Sequence, residues 1–328
     1  IMADSENPVL QTDLTYICEC YCRERDLRPA TIENYTRVVQ RFIENTGVRR
    51  IDEITKPVLL KWRTAVGNRS STTTYNNYHR HMKAVLNYCV EERLIDENPF
   101  LSVKPYRRVS GRRAPPSNDD MVALFEYLES DTDDPLSPFY LTMVETLYFT
   151  GMRSSQLCGL VWSDIDFETD TILLRKQYSK TGKEWRIALH EDLSETLLDF
   201  MIDAKTRFRE GFHESDQVFW IQRYCSSYSG GRLTPDKVTG IFKRLNRRIG
   251  ILVSAHRIRH LFATIAANSH RKEGDDSTDC PMSLVSLQEI LGHENITTTT
   301  GYIKPQISMQ RVVMKSIRRP KRKGWGEE

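Results

Sequence analysis

No stretch of this 328-residue chain approaches the roughly 20 consecutive apolar residues that cross a bilayer. Its 16 glycines are not gathered into a phosphate-cradling loop. No metal-ligand set or serine nucleophile stands out. The seven cysteines are an odd number without framework spacing. Cys18, Cys20 and Cys22 are spaced by two, which predicts different faces of a helix. A zinc knuckle needs two residues between ligands and a second pair. Reduced thiols in a cytosolic protein are expected instead. The N-terminal IMADSENPVL lacks the regions of a signal peptide and reads as a processing remnant before a short polar lead. What remains is a soluble globular composition, 39% hydrophobic and 28% charged, long enough for two domains.

The net charge of +3 is weak evidence for any partner, but its distribution says more. Residues 1 to 117 carry 19 Lys and Arg against 14 Asp and Glu. Five basic residues and no acidic one lie between Lys104 and Arg113, and seven and none between Arg311 and Lys323. Runs of this kind supply phosphate contacts whatever the global total.

Four helices are expected before residue 102. The first spans about 10–24, and the second follows Pro29. In the second, Ile32, Tyr35, Val38, Val39, Phe42 and Ile43 step by three and four along one face. The third runs from Lys56 to about Val66 and the fourth from Thr73 to about Arg93. Tyr75, Tyr78, Met82, Val85, Leu86 and Cys89 form a stripe read as core. The outer face (Arg69, Thr72, Asn76, Asn77, Arg80, Lys83) has residues suited to phosphate and base-edge contact. Asn98 and Pro99 end this unit. The segment SVKPYRRVSGRRAPPS then reads as a basic linker. Its Arg107, Arg108, Arg112 and Arg113 are candidate DNA contacts. The expected division is 1–102, a linker 103–116, and 117–328.

The second domain opens with Ser117 as an N-cap. Helices are expected at about Pro138–Thr150, stopped by Gly151, and at Ser154–Val161. DTILLRKQY and EWRIAL read as a hairpin about a Thr-Gly turn. Further helices are expected at about 192–206, 234–248, 255–267, 284–291, 296–303 and 306–317. The fold class is mainly α with one small β-sheet.

Four strings carry chemistry: TGMRSSQL with Arg153, SKTGK with Lys180, HRIRH with His256 and Arg259, and LGHENITTTTGY with His293 and Tyr302. A phosphodiester resists attack because it is anionic, so catalysis needs oriented positive donors around its oxygens. Arginine forks stay charged and donate paired hydrogen bonds. A phenol of pKa about 10 needs a base or local positive charge before it attacks. His256 and Arg259, three apart on a helix, share a face. Lys183 and Lys176 are rivals to Lys180. His260 is expected to be a buried structural histidine. His79, His81, His190 and His270 have no assigned role, and Thr297 to Thr300 need none beyond capping a helix.

Together these strings resemble the tyrosine recombinase (phage integrase) family. TGMRSSQL is similar to its first arginine motif, SAHRIRHLFAT to its His-x-x-Arg box, LQEILGHENITTTTGY to its Leu-Gly-His to tyrosine segment, and SKTGK to its lysine-bearing turn. The resemblance covers roughly residues 10 to 310 and includes a four-helix, SAM-like core-binding domain. It implies a C-shaped clamp on DNA, closed by a mixed α/β catalytic domain. It implies Tyr302 as nucleophile forming a 3′-phosphotyrosyl link, with Arg153 and Arg259 clamping the phosphate. Lys180 would protonate the 5′-oxygen, His256 would accept and donate protons, and His293 would complete the shell. No cofactor is implied. The implied partners are double-stranded DNA bearing a specific recombination site, a homo-tetramer on two such sites, and a directionality factor or host DNA-bending protein, with no membrane. The expected location is cytoplasmic and nucleoid-associated.

Two departures stand out. Gln156 occupies a place where the family usually has an acid. The region between the His-x-x-Arg box and the Leu-Gly-His turn is about ten residues longer than usual, the excess falling within SHRKEGDDSTDCPM (269–282), read as a surface loop. The chain starts almost directly with the core-binding helices, which suggests the simple form without an arm-binding domain. A mobile-element role is favoured. A type IB topoisomerase-like relaxing enzyme, and a non-cutting DNA-binding regulator of the same fold, are the competing functions.

Overall fold

The computed structural model describes residues 12–107, 114–130, 134–179, 182–225, 231–268, Met314 and Ile317. The chain divides into two compact units, residues 1–112 and 113–328.

The first unit is a four-helix assembly of α1 (Leu14–Glu24), α2 (Pro29–Thr46), α3 (Lys56–Arg69) and α4 (Thr72–Glu91). Each boundary has a local cause. Asp13 Oδ1 caps α1 by accepting from Thr15 N at 2.8 Å. Pro29 opens α2, and Gly47 closes it at φ 76°. The third helix runs beyond Val66 to Arg69, passing through Gly67. A Cβ there would meet Tyr106 Oη at 2.6 Å, so the glycine makes room for an aromatic ring. Ser71 Oγ then accepts from Thr74 N and starts α4.

Trp62 is the hub of this core, fully buried among Phe42, Tyr75 and Phe100 at centroid distances of 5.0, 5.4 and 6.0 Å. The α4 stripe is buried as its spacing predicts, with Tyr78 partly covered. Cys18, Cys20 and Cys22 are all buried, although their spacing puts them on different faces of the helix. Their helix is packed by α2 on one side and α4 on the other, which leaves little of it for solvent. His79 is buried with Nε2 2.8 Å from Val103 O.

The second unit is built around α6 (Ser137–Thr150), a helix buried on almost every side. Helices α5 (Asn118–Ser130), α8 (Glu191–Phe208) and α11 (Ala255–Asn268) pack on it. Its threonines tolerate this because Thr142 and Thr146 each return the hydroxyl to the carbonyl four residues back, at 3.0 and 2.8 Å. The remaining helices are α7 (Ser154–Gly159), α9 (Ile221–Tyr224) and α10 (Pro235–Ile249). Helix α7 stops two residues earlier than its apolar pattern predicts, and α9 has no counterpart in the sequence reading.

The sheet has three antiparallel strands in the order β1 (Ile165–Asp166), β2 (Thr171–Leu174), β3 (Trp185–Ala188). Ile172 pairs with both Ile165 and Ile187, all three buried. The expected strand over DTILLRKQY is cut short, because Lys176–Tyr178 forms a 3-10 turn. The connection is therefore longer than a Thr-Gly turn, although Gly182 does adopt φ 67°. The helices expected after residue 268 and the insertion at 269–282 lie outside the described residues. Met314 and Ile317 are buried with the core of this unit. Among the described residues no helix is long and apolar enough to cross a membrane.

Replacing Trp62 with alanine removes the ring on which Phe42, Tyr75, Tyr78 and Phe100 pack. The cost expected is about 3–5 kcal/mol, against a small one for Trp62→Phe, in denaturant unfolding followed by circular dichroism.

Candidate phosphate-binding site

The site begins where α6 ends. Gly151 turns the chain at φ 61°, and its N–H closes on Leu147 O at 3.0 Å. A Cβ at this position would lie 2.5 Å from Phe262 Cδ1 on α11, so the turn and that helix are in direct contact. Two residues later Arg153 stands as the N-cap residue of α7, with its N–H donating to Gln156 Oε1 at 2.9 Å. Gln156 is buried. An acid here would bring a negative charge beside the guanidinium. The amide gives the same backbone hydrogen bond without one.

The second arginine comes from α11. Helix α10 ends at Gly250 with φ 78°. The loop back is held by Asn246, whose Nδ2 donates to Val253 O at 2.8 Å while its Oδ1 accepts from Val253 N at 3.0 Å. One side-chain amide thus satisfies both backbone groups of a loop residue. From this fixed entry, α11 carries His256, Arg257 and Arg259 in its first turns. Arg259 is 7% exposed, and its Nη1 donates to Gly151 O at 2.6 Å. The turn that presents Arg153 is therefore tied to the other arginine.

The electrostatics follow from this convergence. Burial and then the neighbouring Arg153 charge push the Arg259 guanidinium down to about 9, still charged at neutral pH. His256 is lowered by burial first, then by His260, Arg259 and Arg153. Mutually repelling cations held this close make a site complementary to an anion. The His256 and His260 rings meet edge to face, Nε2 to Nε2 at 3.0 Å. His260 is exposed rather than buried, which corrects the expectation from sequence. Four residues along a helix return to the same face, so His260 follows His256 outward and not Arg259 inward.

Lys180 lies outside the described residues, as do His293 and Tyr302. Its rivals Lys176 and Lys183 are exposed. The base of the lysine-bearing connection is fixed to α7: Ser155 Oγ donates to Tyr178 O at 3.1 Å, and the Tyr178 ring fills the space where Gly159 lacks a side chain. His190 caps α8 by accepting from Asp192 N.

On the first unit, Thr72, Arg80 and Arg107 are exposed and Lys83 is half-buried. Arg69 is exposed and donates to Asn45 Oδ1 at 3.4 Å. Asn76 is spent differently from the expected base contact. Its Oδ1 accepts from Tyr106 N at 2.8 Å and its Nδ2 donates to Tyr106 O at 2.9 Å, a second two-way amide clamp. Arg108, Arg112 and Arg113 lie outside the described residues. Sequence reasoning missed Asn246, Arg257 and the clamp role of Asn76, because their partners are distant or featureless in the sequence.

Gly151→Ala meets both a left-handed backbone and the Phe262 ring. It is expected to lower stability by more than the roughly 1 kcal/mol of backbone strain. Gly47→Ala, where nothing lies within 4 Å of the new Cβ, is the control that carries the backbone cost alone in the same thermal melts. For His256, the unfolded imidazole titrates near about 6.5 and the folded one lower, so the unfolded state takes up the proton first. Stability is accordingly lost as pH falls from that value toward the folded one, and His256→Asn removes this part of the loss. Adding sulfate should raise the His256 midpoint in an NMR titration, because an anion at the arginines favours the imidazolium. A midpoint indifferent to sulfate would count against an anion site.

The phage integrase family model matches residues 117–308. A Bacillus licheniformis tyrosine recombinase XerC is 30% identical over 302 residues, covering 88% of this chain and 90% of that protein. A Pseudomonas syringae protein named for tyrosine recombinase XerC is 29% identical over 309 residues, covering 90% of this chain. The chain spans 62% of the length of that relative. Among solved structures, the Tn1549 transposon integrase in complex with transposon right end DNA aligns with a TM-score of 0.67 at 22% identity, over 92% of this chain and 98% of that one. That likeness shows the fold: mostly helical with a small sheet. Arginines at a glycine turn and on α11, this fold and these relatives agree, and the chain belongs to the phage integrase family of tyrosine recombinases, which cleave and rejoin DNA by transesterification.

Proposed function

We propose that this protein is a site-specific DNA recombinase acting through a 3′-phosphotyrosyl intermediate. The observation that carries the reading is the convergence of Arg153 and Arg259, with His256 beside them, on a site made for an anion. Tyr302 is the assigned nucleophile. Its oxygen forms a bond to phosphorus as the bond to the 5′-oxygen breaks. The phenol proton goes to His256, and Lys180 gives a proton to the departing 5′-oxygen. Arg153, Arg259 and His293 hold the non-bridging oxygens through the transition state. A free 5′-hydroxyl from the exchanging strand then attacks the phosphotyrosine, and the phenol leaves with its proton restored. The phosphodiester energy is kept throughout, so the reaction requires neither nucleotide nor metal.

In this reading the first unit is a core-binding module that grips one face of the duplex through Arg69, Thr72, Arg80 and Lys83. The arginines at 107, 108, 112 and 113 track the backbone. The working form is a tetramer on two DNA sites, and the biological setting is a mobile element in the nucleoid. A directionality factor or DNA-bending protein would set the outcome.

The test uses nicked suicide duplexes drawn from DNA flanking the gene, run on denaturing gels. Wild type should form a covalent adduct that Tyr302→Phe abolishes. Arg153→Ala should slow it by about 100-fold or more, the usual cost of losing one oxyanion donor. Tight specific binding without any adduct would favour a non-cutting regulator.

A further inference from the structure

Arg257 stands between His256 and Arg259 in the sequence, and the proposed chemistry gives it no part. Its side chain turns away to the start of the second unit. Nε donates to Ala114 O at 2.9 Å and Nη2 to Pro115 O at 3.4 Å. A guanidinium donating to two successive carbonyls fixes both position and direction of the backbone it holds. That backbone is stiff. Pro115 and Pro116 lock φ and keep the residue before each proline extended. Immediately after them, Ser117 N donates to Asp120 Oδ2 at 3.0 Å and Asp120 N to Ser117 Oγ at 3.1 Å, a reciprocal cap that starts α5. No slack separates the Arg257 contact from the packed helix.

The other end of the joining segment is held equally firmly on the first unit. Asn76 clamps both backbone groups of Tyr106. The Tyr106 hydroxyl donates to Arg63 O at 3.2 Å, and the Arg63 guanidinium lies 4.2 Å over the ring. Only residues 107–113 run between the two anchors, four of them arginine and none acidic. Eight Cα steps separate Tyr106 from Ala114, a reach of about 28 Å at full extension. A cavity of about 780 Å³ is bordered by Ala114, Arg257 and His256 together with Ser154, the first residue of α7. The end of the tether and His256 thus border one cavity.

We propose that Arg257 is a positioning residue that fastens the joining segment to the helix bearing His256 and Arg259, so that the set of the tether on DNA fixes the alignment of those two groups. This rests on the recombinase reading. An arginine that merely stabilised the fold would leave cleavage by the folded protein unchanged. A positioning arginine couples cleavage to the tether.

The experiment uses the full chain as wild type, Arg257→Ala, Arg257→Lys, a Gly-Ser insertion after Gly111, and the insertion combined with Arg257→Ala. Single-turnover adduct formation on suicide duplexes is measured beside duplex affinity and thermal melting. Arg257→Ala should bind duplex nearly as wild type yet form adduct at least about tenfold more slowly, as small misplacements of reacting groups do. Arg257→Lys, which keeps one donor, should recover part of the rate. The insertion should slow wild type but add little to Arg257→Ala, because the fastening is already lost. Wild-type adduct rates in Arg257→Ala, or losses that multiply in the double variant, would overturn the proposal. Should Arg257→Ala melt below the assay temperature, the lysine variant and the insertion decide the matter by the same rates. A wild type that forms no adduct on any duplex sinks the recombinase reading instead. Arg257 is then judged by the His256 NMR titration without DNA, where a midpoint unchanged in both Arg257→Ala and Arg257→Lys rejects the fastening.

Discussion

A guanidinium buried to 7% exposure beside a second guanidinium is the constraint around which the larger unit is arranged. Taking a charge out of water is costly, and a like charge nearby adds to the cost. The offsetting contributions are local and apolar. Gly151 offers its carbonyl to Arg259, and the absence of a side chain there lets Phe262 close over the turn. Helices α6 and α11 pack along their length on either side of this contact. The core of the unit therefore serves to hold an electrostatically unfavourable arrangement that an anion relieves. In the proposed function, such an arrangement is a preorganised site for a phosphate.

Where the sequence was informative, a periodic pattern or a local chain signal lay behind it. The stripe from Tyr75 to Cys89 and the stops at Gly47 and Gly151 are of this kind, since each depends on residues within a few positions. Arg153 and Arg259 were legible only through the surrounding strings. That Arg259 reaches the Gly151 carbonyl, on the turn that presents Arg153, required the tertiary structure. The errors also have physical sources. The strand over 170–178 looked longer because alternation continues into Lys176–Tyr178, where the chain tightens into a 3-10 turn. His260 adjoins Arg259 in the sequence, which predicts burial, but a helix turns about 100° per residue and carries the two to different environments. The spacing of Cys18, Cys20 and Cys22 places them on different faces of α1, and all three are buried. A helix flanked on two sides has little exposed surface to offer them.

Several joints of the molecule are made by neutral side-chain amides acting on backbone. Asn76 holds Tyr106 and Asn246 holds Val253 in this way. Gln217 does the same for Leu233, donating at 2.9 Å and accepting at 2.9 Å. In each case the amide imitates one rung of a β-ladder where no second strand is present. The device suits a protein whose working charges must meet a polyanion. Salt that screens the arginines leaves these clamps untouched, because neither partner carries a charge.

The same feature gives the protein a chemical clock. Hydrolysis of an asparagine amide leaves a carboxylate, which accepts hydrogen bonds but donates none at neutral pH. One such event at Asn246 would leave the Val253 carbonyl without its donor and set two oxygens against each other at the entry to α11. Asparagine and glutamine are among the thermolabile residues that proteins of hot environments avoid. On prolonged warming, this chain would thus age by single covalent lesions at its joints. Helix α11, which carries His256 and Arg259, would slip out of alignment while the bulk of the molecule stayed folded.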